Sequence, residues 1–196
     1  MQQLVLRVLG QRVDERPAAR GVTARPELLD GQVVARRDVL RIEREPEIWY
    51  RNLPTFSAAA GVLITDERDR LLLVKPNYRD HWAFPGGMIE AGEPPHVAAA
   101  RELTEEIGLK AEPGGLLVVD WAPPMGHRPS AIMYYLFDGG SVHSEINFEA
   151  DPEEIERAGF FPLDECVTLL PGHTATRATA AMAARASGRT AHLPNM

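Results

Sequence analysis

Cysteine is nearly absent from this chain: Cys166 is the only one in 196 residues. An internal disulfide is therefore excluded, and a lone thiol points to a reducing compartment such as the cytoplasm. Apolar runs are short too. None approaches the roughly 18 residues that a membrane-spanning helix needs, so no membrane partner is expected. The opening segment, MQQLVLRVLGQRVDERP, has neither a basic start nor a full apolar stretch and does not read as a secretory signal. Positive charge is outweighed, with 21 Lys and Arg against 28 Asp and Glu, and no basic stripe offsets the net −7. Bulk nucleic-acid binding is thereby disfavoured. The six histidines are scattered without metal-ligand spacing, and no G-x-x-x-x-G-K-[ST] phosphate loop is present. What remains is an acidic chain, 44% hydrophobic, long enough for one domain with a sizeable core. Such a chain can act on an anionic phosphate if it carries cations into the site.

Composition divides the chain in two. Residues 1–52 are rich in Arg and Glu and interrupted by Pro17, Pro26 and Pro46. They read as an N-terminal extension with strand candidates at Leu4–Leu9 and Gly31–Ile42, docking on the main domain through Trp49 and Tyr50 or forming a homodimer. Residues 53–196 carry a tighter pattern. SAAAGVLI, the turn TDERDR and LLLVK predict two apolar strands, and HWAFPGG a third, short one. LLVVDWA and SAIMYYLF predict two more, AGFFPLDE a last strand entering a helical turn near 164–169, and 174–186 a closing helix. Strands alternating with helices, with hairpins interspersed, indicate an α/β fold with a mixed sheet between helices.

The helix predicted over 94–107 poses the sharpest question. It opens on Pro94-Pro95 and stops at Gly108, both suited to helix ends. At helical periodicity Val97, Ala100, Leu103, Thr104 and Ile107 share one side, expected to face the core. Glu102, Glu105 and Glu106 fall opposite them and are expected to converge. Like charges at these spacings cost about 0.2–0.5 kcal/mol per pair, and only Arg101 is placed to offset them within the helix. Hard divalent cations, in contrast, prefer carboxylate oxygens, and Mg²⁺ shares a few of them with substrate phosphates. A metal site explains the cluster.

Gly87, Glu93 and the run Arg101-Glu102-Leu103-Thr104-Glu105-Glu106-Ile107-Gly108-Leu109 fit G-x5-E-x7-R-E-U-x-E-E-x-G-U, where U is bulky and aliphatic, at every specified position. With average residue usage a chance match is on the order of one in ten million. The pattern resembles the box of the Nudix hydrolases, and a looser resemblance runs from about Ser57 to Leu169. It implies an α/β/α sandwich with a central mixed sheet, and a metal-dependent pyrophosphohydrolase that cleaves a nucleoside diphosphate linked to another moiety. Carried onto this chain, it implies that Glu102, Glu105, Glu106 and the Gly87 carbonyl hold Mg²⁺ or Mn²⁺. Glu105 or Glu102 would orient or deprotonate the attacking water, Arg101 would position the glutamates, and Glu93 would brace the loop.

Beyond the box, family members often draw a further acid from a downstream loop. Glu145, Glu149, Asp151, Glu153 and Glu154 are candidates here, with Glu154 preferred. For substrate binding, Lys75 and Arg79 are placed to meet phosphates and Trp121 to stack on a base. Pro124 resembles the downstream proline of ADP-ribose pyrophosphatases. Alternatives are a hydrolase of non-nucleotide, for instance prenyl, diphosphates, and a non-catalytic ligand-sensing Nudix domain. The latter usually has eroded box acids and an attached helix-turn-helix, neither of which is seen here. Diphosphate isomerases on this scaffold add a catalytic cysteine, for which Cys166 is poorly placed.

Overall fold

The structure, a computed structural model, describes residues 27–29, 32–34, 46–126 and 128–194, with side chains from 46 onward. It divides into two compact units, 1–54 and 55–196. In the first, β1 (Glu27–Leu29) pairs antiparallel with β2 (Gln32–Val34), and α1 spans Pro46–Arg51. Only this part of the expected Gly31–Ile42 strand is described, and Leu4–Leu9 lies outside the described residues. Trp49 and Tyr50 sit on α1 with their rings edge to face, 4.9 Å apart.

The second unit is built on a mixed sheet. Its strands are β3 (Ser57–Thr65), β4 (Leu71–Pro76), β5 (Gly86–Met88), β6 (Leu116–Ala122), β7 (Ile132–Ser141), β8 (Ile155–Phe161) and β9 (Ala191–Pro194). They run in the order β8-β4-β3-β7-β6-β9, with β5 pairing on β3. β3 is parallel to β7 and antiparallel to β4 and β5, and β9 is parallel to β6. The helices are α2 (Pro95–Ile107), α3 (Leu163–Leu169) and α4 (Gly172–Ser187).

Both faces of the central strands are covered, which is why β3 and β4 read as continuous apolar runs rather than alternating ones. Ala60, Val62 and Ile64 of β3, with Leu72 and Val74 of β4, pack with Ala98, Ala99, Leu103 and Ile107 of α2. Leu63, Leu71 and Leu73 point to the other face, where Ala175, Ala178, Ala181 and Ala184 give α4 a flat side with Cys166 of α3 beside it. Each fully buried Leu or Ile in these layers contributes roughly 1.5–3 kcal/mol. The α/β/α sandwich expected from the sequence is therefore present.

Three expectations need correction. The segment HWAF is not a strand: Ala83 alone bridges Val74, and the strand begins at Gly86. The edge strand β9 had no signal, because four residues with little alternation carry too little pattern to read. More consequential is the rotation of α2. Its buried residues are Ala98, Ala99, Leu103, Glu106 and Ile107, while Val97 is 44% exposed. The inward face is thus turned by about one residue step from the apolar stripe. Small alanines let α2 lie close on β3, and the turn carries Glu106 inward instead of out to solvent.

Candidate active site

The box begins where β5 meets the central strand. Gly87 pairs with Ala60, and Gly86 with Gly61, so the loop leading to α2 is fixed to the sheet. α2 starts after Pro94, whose extended backbone needs no amide donor, and closes on Gly108 at φ 70°, a left-handed conformation that favours glycine. A Cβ on Gly87 would stand 2.5 Å from the Glu102 carboxylate, so only glycine lets this acid settle against the loop backbone.

Arg101 is the hub of the arrangement. Its Nε and Nη2 each donate to Glu93 at 3.0 Å, and Nη2 also donates to the Met88 carbonyl at 3.1 Å. Nη1 donates to Glu102 at 2.9 Å and to Glu105 at 2.8 Å. One side chain thereby ties loop, helix start and helix middle together, the kind of forked geometry that a guanidinium can supply and an ammonium cannot. Hydrogen bonding to Glu93, then to Glu105 and Glu102, holds the Arg101 guanidinium still more firmly protonated than usual. In return, Arg101 holds the Glu93 carboxyl below its ordinary value.

The three helix acids sit in different environments. Glu105 is exposed and Glu102 half-buried, while Glu106 is 4% exposed and accepts the Gly86 N–H at 2.8 Å. Arg101 Nη1 holds Glu102 and Glu105 on one nitrogen and Glu106 is tied to Gly86, so that among the described residues the three side chains form no ready-made ligand cluster. Burial raises the proton affinity of Glu102, and it pushes Glu106 up to about 8, with the neighbouring charges of Glu102 and Glu154 adding to the effect.

This has a measurable consequence in metal-free protein. A carboxyl whose value is raised on folding stabilises the fold fully below about pH 4.5, and that stability is lost as pH rises through about 8. Glu106→Gln should therefore flatten the decline in stability across this window and make the metal-free protein at pH 9 more stable than the parent, by on the order of a few kcal/mol. Urea denaturation in EDTA at several pH values measures this. A variant whose stability falls with pH as steeply as the parent's would show that Glu106 ionises without penalty.

A cleft of about 1110 Å³ opens beside the helix. Glu102, Glu106 and Gly87 line it, together with Arg79 from the turn after β4 and Glu154 from the loop before β8. Glu154 is brought there by backbone docking on the end of α2, where the Glu149 N–H donates to Ile107 and the Asp151 N–H to Glu106. Of the five acids considered in that loop it is the one in the cleft wall. Lys75 and Trp121 are not in the wall. The Lys75 ammonium bonds the Arg79 carbonyl and lies 4.0 Å from Glu156, so it braces the turn that presents Arg79. Trp121 packs edge-on against Phe56, with centroids 5.5 Å apart.

A further set of lining residues had no counterpart in the sequence reading. It comprises His81 and Trp82, Arg128, Tyr134, and His173 and Arg177 from the first turns of α4. The histidines, read as surface or loop residues, are scattered along the chain and meet only in the fold. Arg177 is 7% exposed, donates to Asp120 at 2.5 Å and lies 4.1 Å over the Tyr134 ring.

Residues 55–182 match the NUDIX domain. The chain belongs to the Nudix family. It is 33% identical over 136 residues to an ADP-ribose pyrophosphatase of Mycobacterium tuberculosis, covering 66% of this chain and 64% of that protein. It is also 33% identical over 130 residues to the CMP-5'-(N-acetyl-N-hydroxy-3-aminopropyl)phosphonate hydrolase of Streptomyces rubellomurinus, covering 62% and 60%. The chain thus spans about three-fifths of the length of these curated relatives. Among solved structures, a UDP-X diphosphatase superposes with a TM-score of 0.60 at 20% identity, covering 83% of this chain and 77% of that one. The MutT protein of Methanosarcina mazei gives 0.56 at 19%, covering 68% and 96%. At these identities the structural likeness speaks for the Nudix fold alone.

Proposed function

We propose that this Nudix protein is a divalent-metal-dependent pyrophosphohydrolase that cleaves a nucleoside diphosphate linked to another moiety by attack of water at phosphorus. The observation that carries it is the box, with Glu102, Glu105 and Glu106 on one rigid helix next to the glycine cradle at Gly87, joined in the cleft by Glu154 from a downstream loop. Their chemistry suits Mg²⁺ or Mn²⁺, which take hard oxygen donors. The raised proton affinity of the buried Glu106 marks a place where a cation is wanted. Glu102, Glu105, Glu106 and the Gly87 carbonyl would hold it, and once bound it neutralises phosphate oxygens and acidifies a water.

The chain's own groups do the rest. Arg79 faces the charge of the diphosphate. Glu105, exposed at the helix surface, accepts a proton from the attacking water, and Glu154 stands on the loop side of the cleft as a further acceptor. Arg101 keeps Glu102 and Glu105 in register with the loop through Glu93. The relatives in hand act, by their names, on ADP-ribose and on a CMP-phosphonate, which supports a diphosphate or related linkage between a nucleoside and a second group. Cys166 is buried with its thiol donating to the Phe161 carbonyl at 3.4 Å. Burial pushes that thiol up to about 12, far from a reactive thiolate.

Hydrolysis in ¹⁸O-labelled water tests the reading. Nucleoside diphosphate derivatives should give two phosphomonoesters with the label on a phosphate. Activity should vanish in EDTA, return with Mg²⁺ or Mn²⁺, and rise toward alkaline pH as the water deprotonates. Label in the sugar or alcohol product, or full activity in EDTA, would overturn it.

A further inference from the structure

Besides the carboxylates, the cleft is lined by Arg128 from the turn before β7 and by His173, Thr174 and Arg177 from the start of α4. Arg128 is the decisive residue there. Its backbone is locked in a tight turn by reciprocal bonds with Met125, at 3.0 and 3.1 Å, and its Nη2 donates to the Pro123 carbonyl at 2.5 Å. Its Nε is buried without a hydrogen-bond partner among the described residues, and no ion pair to Arg128 is formed among them. Arg128 lines the cleft, and its charge has no carboxylate partner among the described residues, so an anion in the cleft meets an uncompensated guanidinium. Beside it, Arg177 is fixed by Asp120 and the Tyr134 ring, and Thr174 and His173 come from the same first turns of α4. Burial, and then the charge of Arg177, holds the His173 imidazole toward its neutral form, with Asp120 opposing and Arg128 adding to the effect.

We propose that Arg128, with His173 and Arg177, forms a second oxyanion subsite that binds a phosphomonoester group on the substrate's far end, so that the preferred diphosphates carry an additional terminal phosphate. This rests on the pyrophosphohydrolase reading and names its substrate class. Donors from two separate segments, the Arg128 turn and the start of α4, suit a tetrahedral phosphate better than a planar carboxylate, which takes its best bonds in one plane. The cleft, at about 1110 Å³, has room for a diphosphate flanked by two organic groups.

Binding without metal isolates this subsite. In EDTA no cation bridges phosphate to the carboxylates, so a phosphomonoester is left to the cleft's own cations, and the Arg128 variants distinguish this subsite from Arg79. Isothermal titration in EDTA should show adenosine monophosphate binding at least about tenfold more tightly than adenosine, an advantage that Arg128→Gln reduces to about twofold and Arg128→Lys partly keeps. Thermal melting establishes that both variants are folded, and the lysine variant separates loss of charge from loss of the Pro123 contact. With Mg²⁺ present, NADPH should exceed NADH, and coenzyme A its dephospho form, by about tenfold in kcat/KM, with the ratio falling toward one in Arg128→Gln. Equal binding of adenosine monophosphate and adenosine by the parent protein overturns the subsite whatever the turnover. Failure to hydrolyse any diphosphate defeats the hydrolase reading instead and leaves the calorimetric result to decide the subsite.

Discussion

Glu105→Gln is expected to fold normally and to lose turnover by at least about 10²-fold, because in the proposed mechanism Glu105 supplies both a metal ligand and the proton acceptor for water. The substitution is conservative for structure. The Glu105 side chain is 55% exposed, and its one strong contact is the 2.8 Å bond from Arg101, which a glutamine oxygen can still accept. An exposed pair of this kind contributes about 0–1 kcal/mol, and the variant also relieves repulsion with Glu102, so metal-free stability should hold or rise slightly. Steady-state kinetics beside a urea melt separates the two effects. Near-normal turnover in a folded variant would remove Glu105 from the chemistry and with it the argument from the helix acids.

Arg101→Ala should have the largest effect on stability. Removing this side chain leaves Glu93, Glu102 and Glu105 without their shared partner, and the first two are 12% and 15% exposed. Charge-assisted hydrogen bonds to partly buried carboxylates contribute about 1.5–3 kcal/mol each but not additively, so a loss of about 2–4 kcal/mol is expected in EDTA. Saturating Mg²⁺ should shrink that loss, since a cation binding the folded state takes over part of the neutralisation and stabilises by mass action. A loss that is the same with and without Mg²⁺ would mean that the residues Arg101 holds are not the ones that bind metal.

Much of this was legible before any coordinates. The box acids were readable because their spacing is local: seven intervening residues from Glu93 to Arg101, then consecutive helix positions, fix which groups can meet on one element. The strands of the core were readable for the related reason that burial on both faces leaves uninterrupted apolar runs such as LLLV. Periodicity failed on α2 because it reports where apolar residues lie, not which side a neighbour can approach. The alanines at 98 and 99 allow a close approach to β3 that larger residues would prevent, and this seats the carboxylate of Glu106 inside.

The sequence by itself determined the family, the α/β architecture and the set of acids available for a metal, since each depends on contacts within a single element or on a fixed local spacing. The tertiary structure alone decided that Glu106 is buried and Glu105 exposed, that Glu154 rather than its four acidic neighbours reaches the cleft, and that Lys75 braces a turn. It also brought Arg128 and Arg177, separated by two strands, one helix and the start of α4, into the lining of the cleft that holds the acids. Such pairings depend on how strands order themselves and where loops dock, and no local pattern encodes the distance between segments that meet only after the sheet has closed.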